Sequence, residues 1–311
     1  MSLKEERLGM KHINGEWNEC ENSIKDDLLK HQIITFKNQP YDPLHFHKNI
    51  AKLGGLSNWE QLWFDLEGNF VGKPTEYLDP FSWKDDPMKF PIQRVSGKKV
   101  NNVESGIFPK KRLDWHSNLN GPTRADGVGL YGAEPVPGAV TIVLNSVKAY
   151  EEMPLELKVR CLDVYGDYVY SPEIWAGGAW HDVDTKAGEE WWKGIQENKE
   201  TDSDDGTGAY KLKLIWSNIA GLKGFYFNPL NKCKLSDSDL YHDLYDFYFQ
   251  EKYMYYHYWE KGDVLLMDQL LTLHKRGDVN VDDKEHSKRV LWRTTFRLSN
   301  KDNWIEKQNK I

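Results

Sequence analysis

The chain has 311 residues, of which 39% are apolar and 13% aromatic, and its formal net charge is −7. No apolar run reaches the roughly 18 residues of a membrane-spanning helix, and the charged segment Met1–Arg7 lacks a signal-peptide core, so we expect a cytoplasmic protein without membrane contact. The dispersed charges argue against nucleic acid as a partner, and three widely spaced cysteines argue against a disulfide scaffold or a cysteine-based zinc site.

The N-terminal part of the chain predicts a buried strand followed by a helix. Residues 28–38 are β-branched and aromatic at their centre, which indicates a strand. Asp42 can cap a helix that has Pro43 at its first position, and apolar side chains recur at helical spacing as far as Leu53. Residues 90–100 predict a further strand and a turn.

The middle of the chain predicts two strands, two short helices and an insertion. The strands cover 127–131 and 138–144; Ser146 can cap the first helix and Pro154 can open the second. Residues 171–211 are polar, with Gly, acidic residues and interspersed Trp. Such a segment suits a mobile lid over a site, although an ordinary surface loop has the same composition.

The C-terminal part predicts one helix and then strands. The helix covers 236–250 and is capped by Ser236. The strands that follow are 253–259, 264–268 and 288–298. The last alternates regularly, which puts Arg289 and Arg293 on one face. Many short strands, few helices and no linker predict a single domain over 1–311, an all-β sandwich with helical decoration.

Two histidines far apart in sequence suggest a metal site. His116 and residue 118 share one face of a strand because they are two positions apart, and His274 would supply a second histidine from a distant strand. Two histidines and one oxygen ligand on the same side of an iron ion leave open positions for a bidentate cosubstrate and O2.

Six segments carry further patterns in a fixed order along the chain. They are Ile34–Gln39 with the helix after it and Gly54 (a strand–helix unit), Asp114–Asn118 (W-H-[ST]-D), Ala133–Thr141 (E-x-P-x-x-G-G-D-T), His257–Val264 (H-x-W-x-x-G-D), Met267–His274 (W-D-N-R-x-T-x-H) and Arg289–Arg293 (R-x-x-x-R). Each segment resembles the pattern in parentheses, several of them with substitutions, and these patterns are those of the taurine dioxygenase-like (TauD/TfdA) family of 2-oxoglutarate-dependent Fe(II) oxygenases, which the chain resembles over most of its length.

The resemblance implies a double-stranded β-helix (jelly-roll) core and a role for particular residues. His116 and His274 are expected to bind Fe(II), and Arg293 to pair with the distal carboxylate of the cosubstrate 2-oxoglutarate. Thr141 is expected to hydrogen-bond the same carboxylate, supported by Arg289 on the strand face of Arg293. The planar, permanently charged guanidinium of Arg suits this role because it grips a carboxylate at two points.

Asn118 stands where the family pattern has a carboxylate ligand. Its single neutral carbonyl oxygen either binds the metal or blocks the position, and the loss of an anion predicts weaker Fe(II) binding and a site more favourable to chloride. Another carboxylate could replace it: Asp114, which shares the strand face of His116, or Asp182 or Asp184 from the insertion.

The predicted function is that of a 2-oxoglutarate-dependent non-haem iron dioxygenase, which uses O2 to hydroxylate a small molecule. Two alternatives stay open. One is a family member that has lost turnover and acts as a binding or structural protein; the other is an Fe(II)/2-oxoglutarate enzyme with a different outcome, such as halogenation. Homo-oligomers are common in the family, and the aromatic-rich sequence is compatible with one.

Overall fold

A computed structural model of the chain describes residues 8–53, 55–56, 63–64, 70–72, 93–96, 98–100, 103–104, 115–117, 127–169, 209–228, 234–277 and 288–298. The α-helices are α1 (Trp17–His31), α2 (Pro43–Ala51), α3 (Ser146–Glu152), α4 (Leu155–Cys161) and α5 (Leu240–Tyr248), and a 3-10 turn covers Glu251–Tyr253. The strands are β1 (Lys11–Ile13), β2 (Ile33–Phe36), β3 (Gly55–Leu56), β4 (Trp63–Phe64), β5 (Phe70–Gly72), β6 (Gln93–Ser96), β7 (Lys99–Val100), β8 (Val103–Glu104), β9 (Gly127–Glu134), β10 (Val140–Asn145), β11 (Tyr165–Val169), β12 (Ala209–Lys213), β13 (Ile215–Ser217), β14 (Lys223–Phe225), β15 (Lys234–Leu235), β16 (Met254–Tyr258), β17 (Val264–Asp268), β18 (Thr272–Arg276) and β19 (Val290–Arg297).

The larger sheet has seven strands in the order β1-β2-β17-β9-β19-β3, with β6 also paired to β19. Strands β2 and β17 are buried along their whole length, which agrees with their continuous apolar and β-branched sequences. Helices α1 and α2 supply side chains to a core on the outer face of this sheet, where Trp17 stacks on Phe36 with 5.1 Å between ring centroids. Burial of such large rings stabilises the packing of helix on sheet.

A smaller sheet has three antiparallel strands in the order β16-β10-β18. Its outer face joins a second core to which α3 and α5 contribute, with Leu144, Leu244 and Leu273 among the fully buried members. The remaining short sheets are β12-β11-β15, β13-β14, β4-β5 and β7-β8.

The inner faces of the two main sheets carry polar residues in register. On the smaller sheet one cross-strand row contains Tyr255, Val143 and His274, and the next contains His257, Thr141 and Arg276. On the larger sheet one row contains His12, Thr35, Leu265, Leu130 and Arg293. The rings of His12 and Tyr255 lie 6.2 Å apart, so the two inner faces approach each other at this edge.

The structure corrects the strand predicted over 28–38. Only Ile33–Phe36 is a strand, and helix α1 occupies 17–31. The buried side chains of Trp17, Ile24 and Leu28 recur at helical spacing along α1. The helix ends at Gln32, whose φ of 58° is left-handed and whose amide still donates to the Leu28 carbonyl at 2.7 Å.

Two predicted helix caps are also wrong. Asn145 rather than Ser146 caps α3, because its side-chain oxygen accepts the amide protons of Val147 and Lys148, whereas the Ser146 hydroxyl donates to the Leu271 carbonyl. Helix α5 begins at Leu240 instead of 236. Ser236 cannot cap it, since the Ser236 backbone and hydroxyl both pair with Tyr165.

Other predicted elements are confirmed. Asp42 caps α2 by accepting the His45 amide proton at 2.8 Å, and Val264–Asp268 is a buried strand. Of the predicted insertion, 171–208 lies outside the described residues, and Ala209–Lys213 is a strand paired with β11. In the described ranges, no helix combines the length and the apolar composition that crossing a membrane requires.

Candidate metal and cosubstrate site

His116 and His274 lie side by side on neighbouring extended segments. Each backbone amide donates to the carbonyl of the other residue, at 3.0 and 2.9 Å, which forms an isolated antiparallel bridge. Paired residues in such a bridge point to the same side, and the two imidazole rings are 4.1 Å apart between centroids. The structure therefore brings together two histidines that lie 158 residues apart in the sequence.

A buried turn holds this pair in place. The Asp268 carboxylate accepts the amide protons of Leu270 and Leu271 at 2.8 and 3.2 Å, which closes the turn between β17 and β18. The Ser117 hydroxyl donates to the Gln269 carbonyl at 2.5 Å and so fastens the segment of His116 to the same turn. Both histidine-bearing segments are thus fixed by hydrogen bonds that involve neither imidazole.

The two imidazoles sit in a dry environment. His116 is 6% exposed and His274 is 5% exposed. Burial lowers the pKa of His274 well below its usual range, and the charges of His116 and Arg293 lower it further. A neutral imidazole is the form that binds metal ions, and His274 Nδ1 has no hydrogen-bond partner among the described residues.

Thr141 lies on the same inner face as His274. It is two residues from Val143, the cross-strand partner of His274, and successive odd positions of a strand share a face. Its hydroxyl oxygen accepts the indole proton of Trp259 at 2.9 Å, and Thr141 is 7% exposed.

Arg293 and Arg276 border this region, and the sequence reasoning missed Arg276. Arg293 lies on the inner face of β19 and close enough to His274 to depress its pKa. Arg289 is buried one residue before β19, next to an irregular register between Val290 and Leu291. Arg276, which is 8% exposed, is the cross-strand partner of Thr141; its position two residues after His274 was the signal that could have identified it.

A buried polar network borders Thr141 on the other side. The Tyr255 hydroxyl is 3.1 Å from His257 Nδ1, His257 Nε2 is 3.4 Å from Asp263 Oδ2, and Lys37 Nζ is 2.8 Å from the same carboxylate oxygen. Burial alone would raise the pKa of Asp263, but hydrogen bonds from His257, Lys37 and the Glu260 amide lower it overall. Burial lowers the pKa of His257, opposed by Asp263.

The residues predicted as the third metal ligand are not among those that the structure describes. Asn118, Asp114, Asp182 and Asp184 all lie outside the described residues. Within the described ranges, no three His, Cys, Asp or Glu side chains come together closely enough to hold a metal ion. The described site therefore consists of a histidine pair, a threonine and nearby arginines.

The sequence pattern of a known family matches the chain over residues 13–295, and that family is described as taurine catabolism dioxygenase TauD, TfdA family. The chain belongs to the TauD/TfdA family. A relative of this TauD/TfdA chain is pentalenolactone F synthase from Streptomyces avermitilis, which is 22% identical over 202 residues. The similarity covers 61% of the chain and spans only 64% of the relative's length.

Solved structures similar to this TauD/TfdA protein share its fold. The crystal structure of AAD-2 in complex with Mn(II) and N-oxalylglycine has a TM-score of 0.61 at 13% identity, covering 93% of this chain and 94% of that one. A taurine dioxygenase from Burkholderia xenovorans has a TM-score of 0.59 at 17% identity, covering 92% and 86%. The predicted jelly-roll fold, mainly β with helical decoration, is confirmed.

Proposed function

We propose that this TauD/TfdA protein is an Fe(II)- and 2-oxoglutarate-dependent oxygenase that hydroxylates a small molecule. The observation that carries the proposal is the buried pair of His116 and His274, whose rings are 4.1 Å apart and whose His274 Nδ1 lacks a partner among the described residues. An orphaned buried nitrogen is costly unless something binds it, and a metal ion would satisfy it.

The residues present fit a metal at this position. Both imidazoles are buried, and both backbones are fixed by the bridge and by the turn at Asp268, so the pair is preorganised. Iron, when bound there with 2-oxoglutarate, supplies the activation of O2. The contribution of the protein is to orient the cosubstrate and to keep water out.

The inner faces of both sheets suit 2-oxoglutarate. Arg293 is proposed to pair with its distal carboxylate, Thr141 to hydrogen-bond the same group, and Arg289 to support it. The Arg293 guanidinium, which is partly shielded from water, favours a dicarboxylate because charge-assisted hydrogen bonds are stronger where the dielectric constant is lowered. AAD-2, the structural relative with Mn(II) and N-oxalylglycine, supports a metal and an oxoglutarate-like ligand in this fold.

Position 118 decides how tightly the metal binds. Asn118 is proposed as the third ligand through its carbonyl oxygen, with Asp114, Asp182 and Asp184 as alternative carboxylates. An uncharged ligand weakens binding compared with a carboxylate, since hard divalent cations prefer anionic oxygen.

A turnover assay tests the proposal. The purified protein is incubated in air with Fe(II), ascorbate and 2-oxoglutarate, together with a panel of small organic acids and lactones, and succinate is measured. We expect succinate to form with the wild type and to fall to background in His116→Ala and His274→Ala. The matched control is His242→Ala, which changes a helix α5 residue outside the histidine pair.

Three results would contradict the proposal. Equal succinate from wild type and both histidine variants would mean that the pair is not the metal site. No succinate from wild type that demonstrably binds metal and 2-oxoglutarate would favour a family member without turnover, and a chlorinated product formed only with added chloride would indicate halogenation.

A further inference from the structure

The indole N–H of Trp259 donates to the Thr141 hydroxyl oxygen at 2.9 Å. Trp259 is 6% exposed and Thr141 is 7% exposed, so water does not compete for this bond. The bond links β10 to the segment that follows β16, and it ends on the side chain that the proposed function assigns to 2-oxoglutarate.

The bond constrains the hydroxyl proton of Thr141. A hydroxyl has one proton to donate, and an indole N–H can only donate. Because the indole proton already occupies one lone pair of Thr141 Oγ1, the hydroxyl cannot direct its own proton toward Trp259. Its proton is available for an acceptor on the inner face, which is where a carboxylate of the cosubstrate would lie.

We propose that Trp259 is a positioning residue that sets Thr141 as a hydrogen-bond donor to the carboxylate of 2-oxoglutarate. The proposal rests on the proposed function, because it concerns the same cosubstrate. Trp259 itself does not contact the cosubstrate; it acts through the orientation of one hydroxyl group. Preorganisation of a buried donor strengthens binding because the site does not need to reorder when the ligand arrives.

The surroundings of Trp259 hold its ring in place. The Trp259 amide donates to the Ala139 carbonyl at 3.0 Å, which anchors the residue to the start of β10. Gly132 lies against the other side, where an added Cβ would be 3.1 Å from Trp259 Cε3 and 2.6 Å from the Glu260 carbonyl oxygen. Only a residue without a side chain at position 132 allows Trp259 and Glu260 to approach β9 this closely.

His257 completes the support of the indole. Its ring meets the Trp259 ring edge to face, at 4.3 Å between centroids and 81° between planes. His257 is itself held by the Tyr255 hydroxyl at 3.1 Å and by Asp263 at 3.4 Å. The network that runs from Lys37 through Asp263 therefore ends at the His257 ring. This ring holds in place the Trp259 indole that donates to Thr141.

A purely structural role for the hydrogen bond makes a different prediction. If Trp259 merely needs a buried acceptor, loss of its N–H lowers stability but leaves ligand affinity unchanged. If Trp259 positions Thr141, loss of the N–H lowers affinity, and it does so only while Thr141 carries a hydroxyl group. A double-mutant cycle separates the two roles.

The experiment measures the affinity for 2-oxoglutarate by calorimetry in the presence of Mn(II), with thermal unfolding recorded for each variant. The variants are Trp259→Phe, Thr141→Val, Thr141→Ser and the two double variants. Trp216→Phe is the matched control. The buried Trp216 lies in the second core, to which α3 and α5 contribute, and it also donates its indole proton, to the Lys213 carbonyl.

We expect Trp259→Phe to weaken binding by about fivefold to tenfold, the scale of one hydrogen bond. In the Thr141→Val background the same change should have an effect below about twofold, whereas in Thr141→Ser it should again weaken binding. Trp216→Phe should lower the unfolding temperature without changing the affinity.

Unchanged affinity in Trp259→Phe, or losses that add independently of Thr141, would overturn the positioning role while leaving the proposed function standing. If folded wild type binds no 2-oxoglutarate with Mn(II), the proposed function and this inference both fail. Should Trp259→Phe not fold, hydrogen exchange of the Trp259 indole proton in wild type replaces it. Slower exchange with Zn(II) and 2-oxoglutarate supports the inference, and unchanged exchange overturns it.

Discussion

At the scale of single residues, the site depends on side chains whose neighbours are fixed by the sheets. Arg293 belongs to the regular part of β19 after Leu291 and lies opposite Leu130, so its direction follows from the alternation of this strand. The guanidinium is close enough to His274 to lower the pKa of that imidazole. A cation in this position suits an anionic ligand bound between the arginine and the histidine pair.

Replacement of Arg293 by methionine should weaken 2-oxoglutarate binding by about tenfold to a hundredfold. The reason is that a charge-assisted hydrogen bond contributes about 1.5–3 kcal/mol. Calorimetry with Mn(II) measures this. The matched control is Arg160→Met, since Arg160 pairs with Asp243 on the surface; an equal loss in both variants would contradict a specific role for Arg293.

A site residue can be predicted from sequence when a short pattern of neighbouring residues identifies it. His116, His274, Thr141 and Arg293 stand in short patterns with fixed spacing, so the sequence selects them as candidates. The hydrogen bond from Trp259 to Thr141 could not be predicted, because it depends on the antiparallel pairing of β10 with β16. Strand pairing joins residues at distances along the chain that no local pattern contains.

At the scale of elements, helix α2 begins where the sequence predicts, and it carries a buried histidine. Asp42 and Pro43 define its first turn as the sequence indicates. His47 on the same helix is fully buried, and burial lowers its pKa to about 3. The sequence places His47 on the apolar face, because Leu44, His47, Ile50 and Leu53 recur at helical spacing, but that spacing does not give the size of the pKa shift.

The buried His47 should make the stability of the protein depend on pH. The unfolded chain takes up a proton near pH 6.5, whereas the folded protein does not until about pH 3, so the stability is fully present above pH 6.5 and is lost as the pH falls. Between pH 7.5 and 5 the wild type should lose about 2 kcal/mol more than His47→Leu in the metal-free protein. Urea unfolding at both pH values measures it, and parallel profiles would contradict the buried, neutral state of His47.

Helix α1 explains why one predicted strand was too long. The β-branched run Ile33–Phe36 strongly indicates a strand, and the prediction extended this strand back over residues 28–32. The helical spacing of Trp17, Ile24 and Leu28 was visible in the sequence but is interrupted by charged residues. Packing against the larger sheet supplies the stabilisation that the isolated segment lacks.

At the scale of the whole molecule, the fold brings together segments that are remote in sequence. The histidines come from an isolated bridge and from β18, Thr141 from β10 and Arg293 from β19. Two sheets must therefore be assembled before the site exists, so ligands of the site should stabilise the folded state as a whole.

This linkage predicts a thermal shift. Mn(II) with 2-oxoglutarate at about a hundred times the dissociation constant should add about 2.7 kcal/mol to the free energy of unfolding and raise the unfolding temperature by a few degrees. Chelation with EDTA should reverse the shift. The His274→Ala variant should show none, and a shift of equal size in that variant would mean that the ligands bind elsewhere.

An anaerobic titration shows whether His116 and His274 form an iron site that accepts 2-oxoglutarate. Fe(II) and 2-oxoglutarate are added to the protein while the weak visible charge-transfer band is followed. We expect the band with wild type, its loss in His116→Ala and His274→Ala, and its appearance at lower metal concentration in Asn118→Asp. Absence of the band in wild type at millimolar metal, together with no consumption of 2-oxoglutarate in air, would contradict an iron site at these two histidines.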